Sequence, residues 1–429
     1  MLSNITIPML GIVDTAVMGH MGASYYLGAV AVGVIIFNFL FWGFGFLRMG
    51  TVGMTAQANG RADGDELRAI LGRSFLLVAI IAAFLLTLQK PVSILAFHLV
   101  DASLEIEQFA AQYFHIRIWS APATLLNYVL LGWFLGLQKA RITMTLMIFV
   151  NCVNLVLDLY FVLGLKWEVA GLAWASVIAE YSGLVLGILF VTRTLRYYSG
   201  HWNWNLLLNG KQFRSMLALN HNIFIRTACL MFAFAFFTAQ GARAGDIIVA
   251  VNAVLLNFQT FMAYALDGFA HAAEVLVGTA VGTRDKGRFW RSIKAAGVWS
   301  VAVALLFVTV YALFGNNIIA LLTNLEQVRQ YASYYLPWLI FMPLVAVWSY
   351  LLDGIFIGAT RAREMRNVML LSVFLVYLPV WYTTQTWGNH GLWFAMLSFL
   401  AARSVFMGWN LYRMERLGVL FTHGALESA

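Results

Sequence analysis

The chain has 429 residues, of which 62% are hydrophobic and 11% charged, against roughly 45–50% and 25% for soluble domains. That composition excludes an ordinary water-soluble domain and points to an integral membrane protein. The net charge of +8 does not indicate nucleic-acid binding, because the Lys and Arg residues concentrate in the short connections between apolar runs, as the positive-inside bias produces.

The apolar runs are continuous over lengths suited to helices, without the period-two alternation of a transmembrane barrel. In chain order they fall near 1–19, 25–58, 69–98, 107–136, 140–164 and 168–195, then near 213–243, 246–281, 288–322, 328–358, 365–387 and 389–415. The predicted fold is therefore an all-α integral membrane protein of twelve transmembrane helices in two six-helix lobes. The longest polar connection, with Tyr197, Gly200, His201 and Asn203, divides them. The predicted organisation is an N-terminal lobe over 1–195, a connection over 196–212, a C-terminal lobe over 213–416 and a tail over 417–429. Runs longer than 30 residues outreach the bilayer at 1.5 Å per residue, so their ends project into water or their helices break.

The first run lacks a basic flank and a small-residue cleavage site, so it reads as a span, not a cleavable signal. At about 27 Å, Met1 to Met18 barely reaches the ~30 Å hydrocarbon thickness, and the first helix is expected to be shortened. The connections on one side of the membrane hold 19 Lys and Arg, and those on the other hold four: Lys90, Lys166, Arg243 and Arg329. This asymmetry places both termini in the cytoplasm. Cys152 and Cys229 lie inside apolar runs and read as packing residues.

The two halves repeat each other. Asn127–Arg141 (NYVLLGWFLGLQKAR) aligns with Ser349–Arg363 (SYLLDGIFIGATRAR), and Gly60-Arg61-Ala62-Asp63 echoes Gly282-Thr283-Arg284-Asp285. Each half has an even number of spans, so the halves are parallel repeats, an arrangement that suits alternating access by a transporter.

Ionisable residues within spans are scarce and mark function by default. The first run carries Asp14. The fifth carries Asn151, Asn154 and Asp158 on one helical face, and Asp14 and Asp158 lie at matching depth in the outer half of one lobe. Two acids with amides beside them can bind a proton or Na⁺. Interhelical hydrogen bonding is the competing role, favoured for Asn151. In the second half, Arg226, Asp267, Glu274 and Asp353 form a further polar group, with an Arg226–Asp267 ion pair expected from their depths; it serves either as a self-neutralising network or in coupling. In the first half, Arg48 and Glu180 can pair. No nucleophile–base pair, HExxH, GxSxG or Walker loop is present, so no ATP-driven or enzymatic chemistry is expected.

Several runs resemble the multidrug and toxic compound extrusion (MATE) transporters, in the bacterial DNA-damage-inducible F branch. They are GIVDTAVMGHMGASYYLGAVAVG at 11–33, NCVNLVLD at 151–158, GLAWASVIAEYSG at 171–183, AYALDGFAHAAE at 263–274 and YLLDGIFIGATRAREMRN at 350–367. The resemblance spans nearly the whole chain. It implies an antiporter of the inner membrane that exports amphipathic, often cationic drugs and dyes in exchange for H⁺ or Na⁺. No other cofactor is implied, and a monomer in the lipid bilayer is expected. Under it, Asp14 matches the essential acid of the first helix, and Asn154 and Asp158 match polar partners in the fifth. Ser176 falls where some relatives have Thr, and Asp353 matches an acid of the tenth helix. Relatives carry a Pro about fifteen residues before the first acid, a position that would precede Met1, and Arg226 stands where some branches place an acid. A lipid-linked oligosaccharide flippase is the alternative within transport, disfavoured by the acidic first-lobe cluster; a membrane-embedded enzyme or scaffold is the alternative outside it.

Overall fold

A computed structural model describes residues 24–100 and 103–421. Among these residues eleven helices are long and apolar enough to cross a membrane: Tyr25–Gly60, Gly64–Thr87, Leu104–Gly136, Ala140–Gly164, Glu168–Leu195, Gly210–Arg243, Asp246–Gly282, Lys286–Leu322, Glu326–Gly358, Ala362–Thr383 and Asn389–Arg416. They correspond to the second to twelfth predicted runs. The first run, with Asp14, lies outside the described residues. The chain divides between Phe213 and Arg214 into two compact units.

The long runs handle their excess length differently. Tyr25–Gly60 breaks into Ser24–Gly43 and Phe46–Gly60, whereas Asp246–Gly282 and Lys286–Leu322 continue for 37 residues each. The predicted run at 69–98 is two elements, Gly64–Thr87 and a separate helix Gln89–Val100. Gln89, Lys90 and Pro91 follow the break at Leu88, polar and helix-breaking residues within the run predicted as continuous. Leu104–Gly136 contains a 3₁₀ turn at Ile118–Ser120, ahead of Pro122. Single π-helical turns, Leu159–Gly164 and Ser372–Tyr377, interrupt two spans.

The sequence repeat is also a repeat of local geometry within each unit. A Cβ on Gly132 would strike the backbone of Arg48, and one on Gly136 the side chain of Thr55 and the carbonyl of Val52. In the other unit, Gly354 stands against the backbone of Ala270 and Gly358 against the carbonyl of Glu274. These positions correspond at one constant sequence offset. In each unit two glycines one turn apart let two spans meet backbone to backbone, the close approach that small residues permit in membranes. The same offset relates Ala62 to Arg284 and Gln138 to Thr360, all with φ near +55 to +61°. It also relates the helix N-caps: Asp63 accepts from the Glu66 N–H at 3.0 Å and Asp285 from the Arg288 N–H at 2.8 Å. Each cap satisfies one of the orphan donors of a helix start.

The second unit packs around Phe237, Phe258, Trp393 and Phe399, all essentially inaccessible. Polar side chains are threaded through this core: Tyr311 Oη donates to the Phe258 carbonyl at 2.6 Å, and Asn252 and Asn389 bond reciprocally at 2.9 Å.

Candidate cation site and buried charge clusters

The fifth predicted run forms the helix Ala140–Asp158, which passes directly into the π turn Leu159–Gly164. Asp158 is the last α-helical residue and is fully buried, with Asn154 buried one turn earlier. π turns often mark functional positions in helices. Gly171 allows the neighbouring Glu168–Leu195 helix to close on Phe161 and Trp167, whose rings stack at 4.9 Å. That contact brings Ser176 beside the site, where Asn154 Nδ2 donates to Ser176 Oγ at 3.3 Å. The Asn154 carbonyl oxygen has no hydrogen-bond partner among the described residues, nor has Asn151 Nδ2. Asn154, Asp158 and Ser176 thus form one buried polar cluster of the first unit. Asn151 borders it and is half-buried. Asp14 is outside the described residues. A carboxylate, an amide oxygen and a hydroxyl make an oxygen-rich donor set of the kind hard cations prefer. Among the described residues no group of three or more His, Cys, Asp or Glu side chains could hold a metal.

In the second unit the arrangement differs from the predicted pairing. Arg226 donates to Asp353 Oδ2, not to Asp267, and Arg403 Nη2 donates to the same oxygen at 2.7 Å. All three side chains are buried. Depth along the chain brought Arg226 and Asp267 level, but the rotation of their helices decided the partner. Asp267 acts electrostatically on Arg403 and on Tyr350, so two guanidiniums and two carboxylates share one neighbourhood. Gln259 Nε2 donates to Tyr350 Oη at 3.4 Å. Glu274, two turns beyond Asp267, is almost fully buried.

Glu180 lies in a third cluster. Asn127 Nδ2 donates to its carboxylate at 2.8 Å and to its carbonyl at 2.9 Å. The cation nearest in effect on Glu180 is Arg117, and Arg48 acts instead on Tyr128. The predicted Arg48–Glu180 pair is thus replaced by Glu180 with Asn127 and Arg117. Tyr128 and Tyr350 occupy equivalent repeat positions, each half-buried near Arg and carboxylate side chains.

Arg403, Arg117, Asn127 and Tyr350 were not singled out from the sequence as site residues. Arg403 carried one legible signal, a lone cation in the middle of the last span; the amide and the tyrosine carried none.

These features define a polytopic helical membrane protein of two like units, each with ionisable groups buried within its bundle. The sequence model of the MatE family matches residues 1–160 and 223–383. The chain belongs to the MatE family and is a secondary transporter, not an enzyme. Among curated proteins, the DNA damage-inducible protein F of Escherichia coli (strain K12) is 46% identical over 427 residues, covering 98% of this chain and 91% of that protein. A probable multidrug resistance protein NorM of Rhizobium meliloti (strain 1021) is 22% identical, covering 94% and 89%. Solved structures share the fold. An outward-facing multidrug resistance MATE transporter of the MOP superfamily superposes with TM-score 0.83 at 20% identity, over 97% of this chain and 94% of that one. A MOP superfamily transporter from Pyrococcus furiosus, described as having a binding pocket of reversed polarity, gives 0.86 at 17% identity, over 97% and 94%.

Proposed function

We propose that this transporter is an antiporter of the bacterial inner membrane that exports amphipathic, cationic drugs and dyes in exchange for protons, with both termini cytoplasmic. Asp158 is the observation that supports this reading most directly. A carboxylate fully inaccessible within the N-terminal unit, flanked by Asn154 and Ser176, is a costly arrangement in a membrane protein and is retained where an ion is handled. Asp14 completes the proposed site. Binding a proton there changes the charge of a packed apolar bundle by one unit, and repacking of the bundle then drives alternating access. The lobes over 1–195 and 213–416 move as its two halves. The kinship with multidrug resistance proteins supports the substrate class, and the acidic character of the N-terminal site supports a cationic substrate.

The test is dye efflux from proteoliposomes under an imposed pH gradient and, separately, a Na⁺ gradient. Transport of ethidium or a rhodamine dye driven by the pH gradient, and abolished in Asp14→Asn and Asp158→Asn, is expected. Flux driven by Na⁺ alone would overturn the assignment of the ion.

A further inference from the structure

The connection after residue 195 is fastened to the first unit chiefly by two side chains, Arg68 and Asp65. Arg68 sits one turn inside the Gly64–Thr87 helix, and its two terminal nitrogens donate to four backbone carbonyls: Gly64 at 2.7 Å, Ser199 at 3.2 Å, Leu195 at 3.1 Å and Tyr198 at 3.0 Å. Asp65 accepts from the His201 N–H at 2.6 Å. Gly200 makes this approach possible: its φ is +117°, and a side chain there would strike Asp65. Burial pushes the Tyr198 phenol up. Lys139 lies 5.6 Å from the ring centres of both Tyr197 and Tyr198. The connection is therefore a folded part of the unit.

Folding it back creates a groove of about 530 Å³ at the polar end of two membrane spans. One wall is apolar, from Leu71 and Phe75 on the Gly64–Thr87 helix and Ile188 and Val191 on the Glu168–Leu195 helix; the rim carries Arg196, His201 and Trp202. Ile188 and Thr192 are exposed on a membrane-crossing helix, so the groove opens toward lipid. Trp202 is 51% exposed, as expected of an aromatic side chain at the headgroup level. Arg68 is buried with only neutral carbonyls as partners. Among the described residues no carboxylate lies within ion-pair distance of it. Its positive charge stands behind the groove, with the Asp65 carboxylate on the same helical turn against Gly200 and His201, and Arg196 adds a second cation at the rim.

We infer that this groove binds an anionic phospholipid, the acyl chain along Leu71, Phe75, Ile188 and Val191 and the headgroup phosphate at Arg196 and His201. Arg68 contributes charge without contact, because its terminal N–H groups are already spent. An apolar trough continuous with a cationic rim at the membrane interface matches the two halves of such a lipid and no purely soluble anion. Basic pockets between spans on the cytoplasmic side are suited to this class of ligand. The site is independent of the ion and substrate proposed above.

The experiment is native mass spectrometry of the full chain released from detergent micelles, titrated with dioleoylphosphatidylglycerol or dioleoylphosphatidylcholine. Preferential retention of the glycerol lipid is expected. Arg196→Gln should weaken it about fivefold, the effect of one interfacial cation, and Arg196→Gln with His201→Ala further. Ile188→Trp, which fills the trough and leaves the charges in place, should weaken both lipids, while Arg288→Gln in the other unit should change neither. Equal retention of the two lipids, an equal loss in Arg288→Gln, or displacement of the lipid by an equimolar amount of inorganic phosphate would each overturn the inference.

Discussion

At the scale of single residues, the two units use buried charge differently. Asp353 is shared by Arg226 and Arg403, so each guanidinium depends on one carboxylate oxygen. Removing the acid takes away the carboxylate that both buried cations share; Asp353→Ala is expected to destabilise the protein by about 3–5 kcal/mol, the range for breaking a buried ion pair. The shift in thermal unfolding of purified protein in detergent measures it. Arg226→Met removes one cation and leaves the Arg403–Asp353 pair intact, so its loss of stability should be the smaller. Asp158→Asn is of another kind. The amide nearly matches the carboxylate in size, so the thermal transition should move by only a degree or two while pH-driven dye efflux is lost, a separation that a purely structural acid would not show. The pattern Asn151, Asn154, Asp158 was legible in the sequence because these are the polar positions of an apolar helix. The Arg226 partner was misassigned because sequence yields depth along a helix but not the neighbour it faces.

At the scale of elements, the glycines decide where helices touch. Gly354 and Gly358 press on the backbone of Ala270 and Glu274, and a carbonyl held in a helix cannot yield as a flexible side chain can. Gly354→Leu should therefore prevent the Asp246–Gly282 and Glu326–Gly358 spans from packing, read as loss of the monodisperse peak in detergent chromatography. Its repeat counterpart Gly132→Leu should behave alike in the first unit. Gly297 is the contrast: a Cβ there meets only Leu351 at 3.5 Å, ordinary contact. Gly297→Ala should be neutral or stabilise by up to about 1 kcal/mol, since it removes a helix-interior glycine. Both glycine pairs were visible in the sequence repeat, but only the structure shows which span each pair meets. The π turn after Asp158 had no sequence signal: Leu159–Gly164 is as apolar as the helix before it.

At the scale of the whole molecule, the spacing of apolar runs foretold the second to twelfth spans, since a fixed bilayer thickness imposes their length, and the largest discrepancy is the run at 69–98, whose span ends at Thr87. The missing detail was internal: the break at Leu88 and the 3₁₀ turn at Ile118–Ser120 fall inside runs read as single spans, although Gln89-Lys90-Pro91 and Pro122 stand beside them. The Lys and Arg asymmetry carries the prediction that belongs here. Alkaline phosphatase fused after Arg416 should be inactive in cells, and the same enzyme fused after Lys166 active; the reverse pattern would invert the proposed topology.

The sequence by itself determined the class of the protein, its helical architecture and repeat, and the small set of residues able to carry charge inside the membrane. Composition and periodicity respond to the solvent around each segment, and that solvent is lipid. Tertiary structure alone decided the partners: Asp353 for both arginines, Asn127 for Glu180, Ser176 for Asn154, and Arg68 for the folded connection. Partnership depends on the rotation of each helix about its axis and on contacts between residues 22 to 131 apart in the chain, neither of which any local pattern encodes.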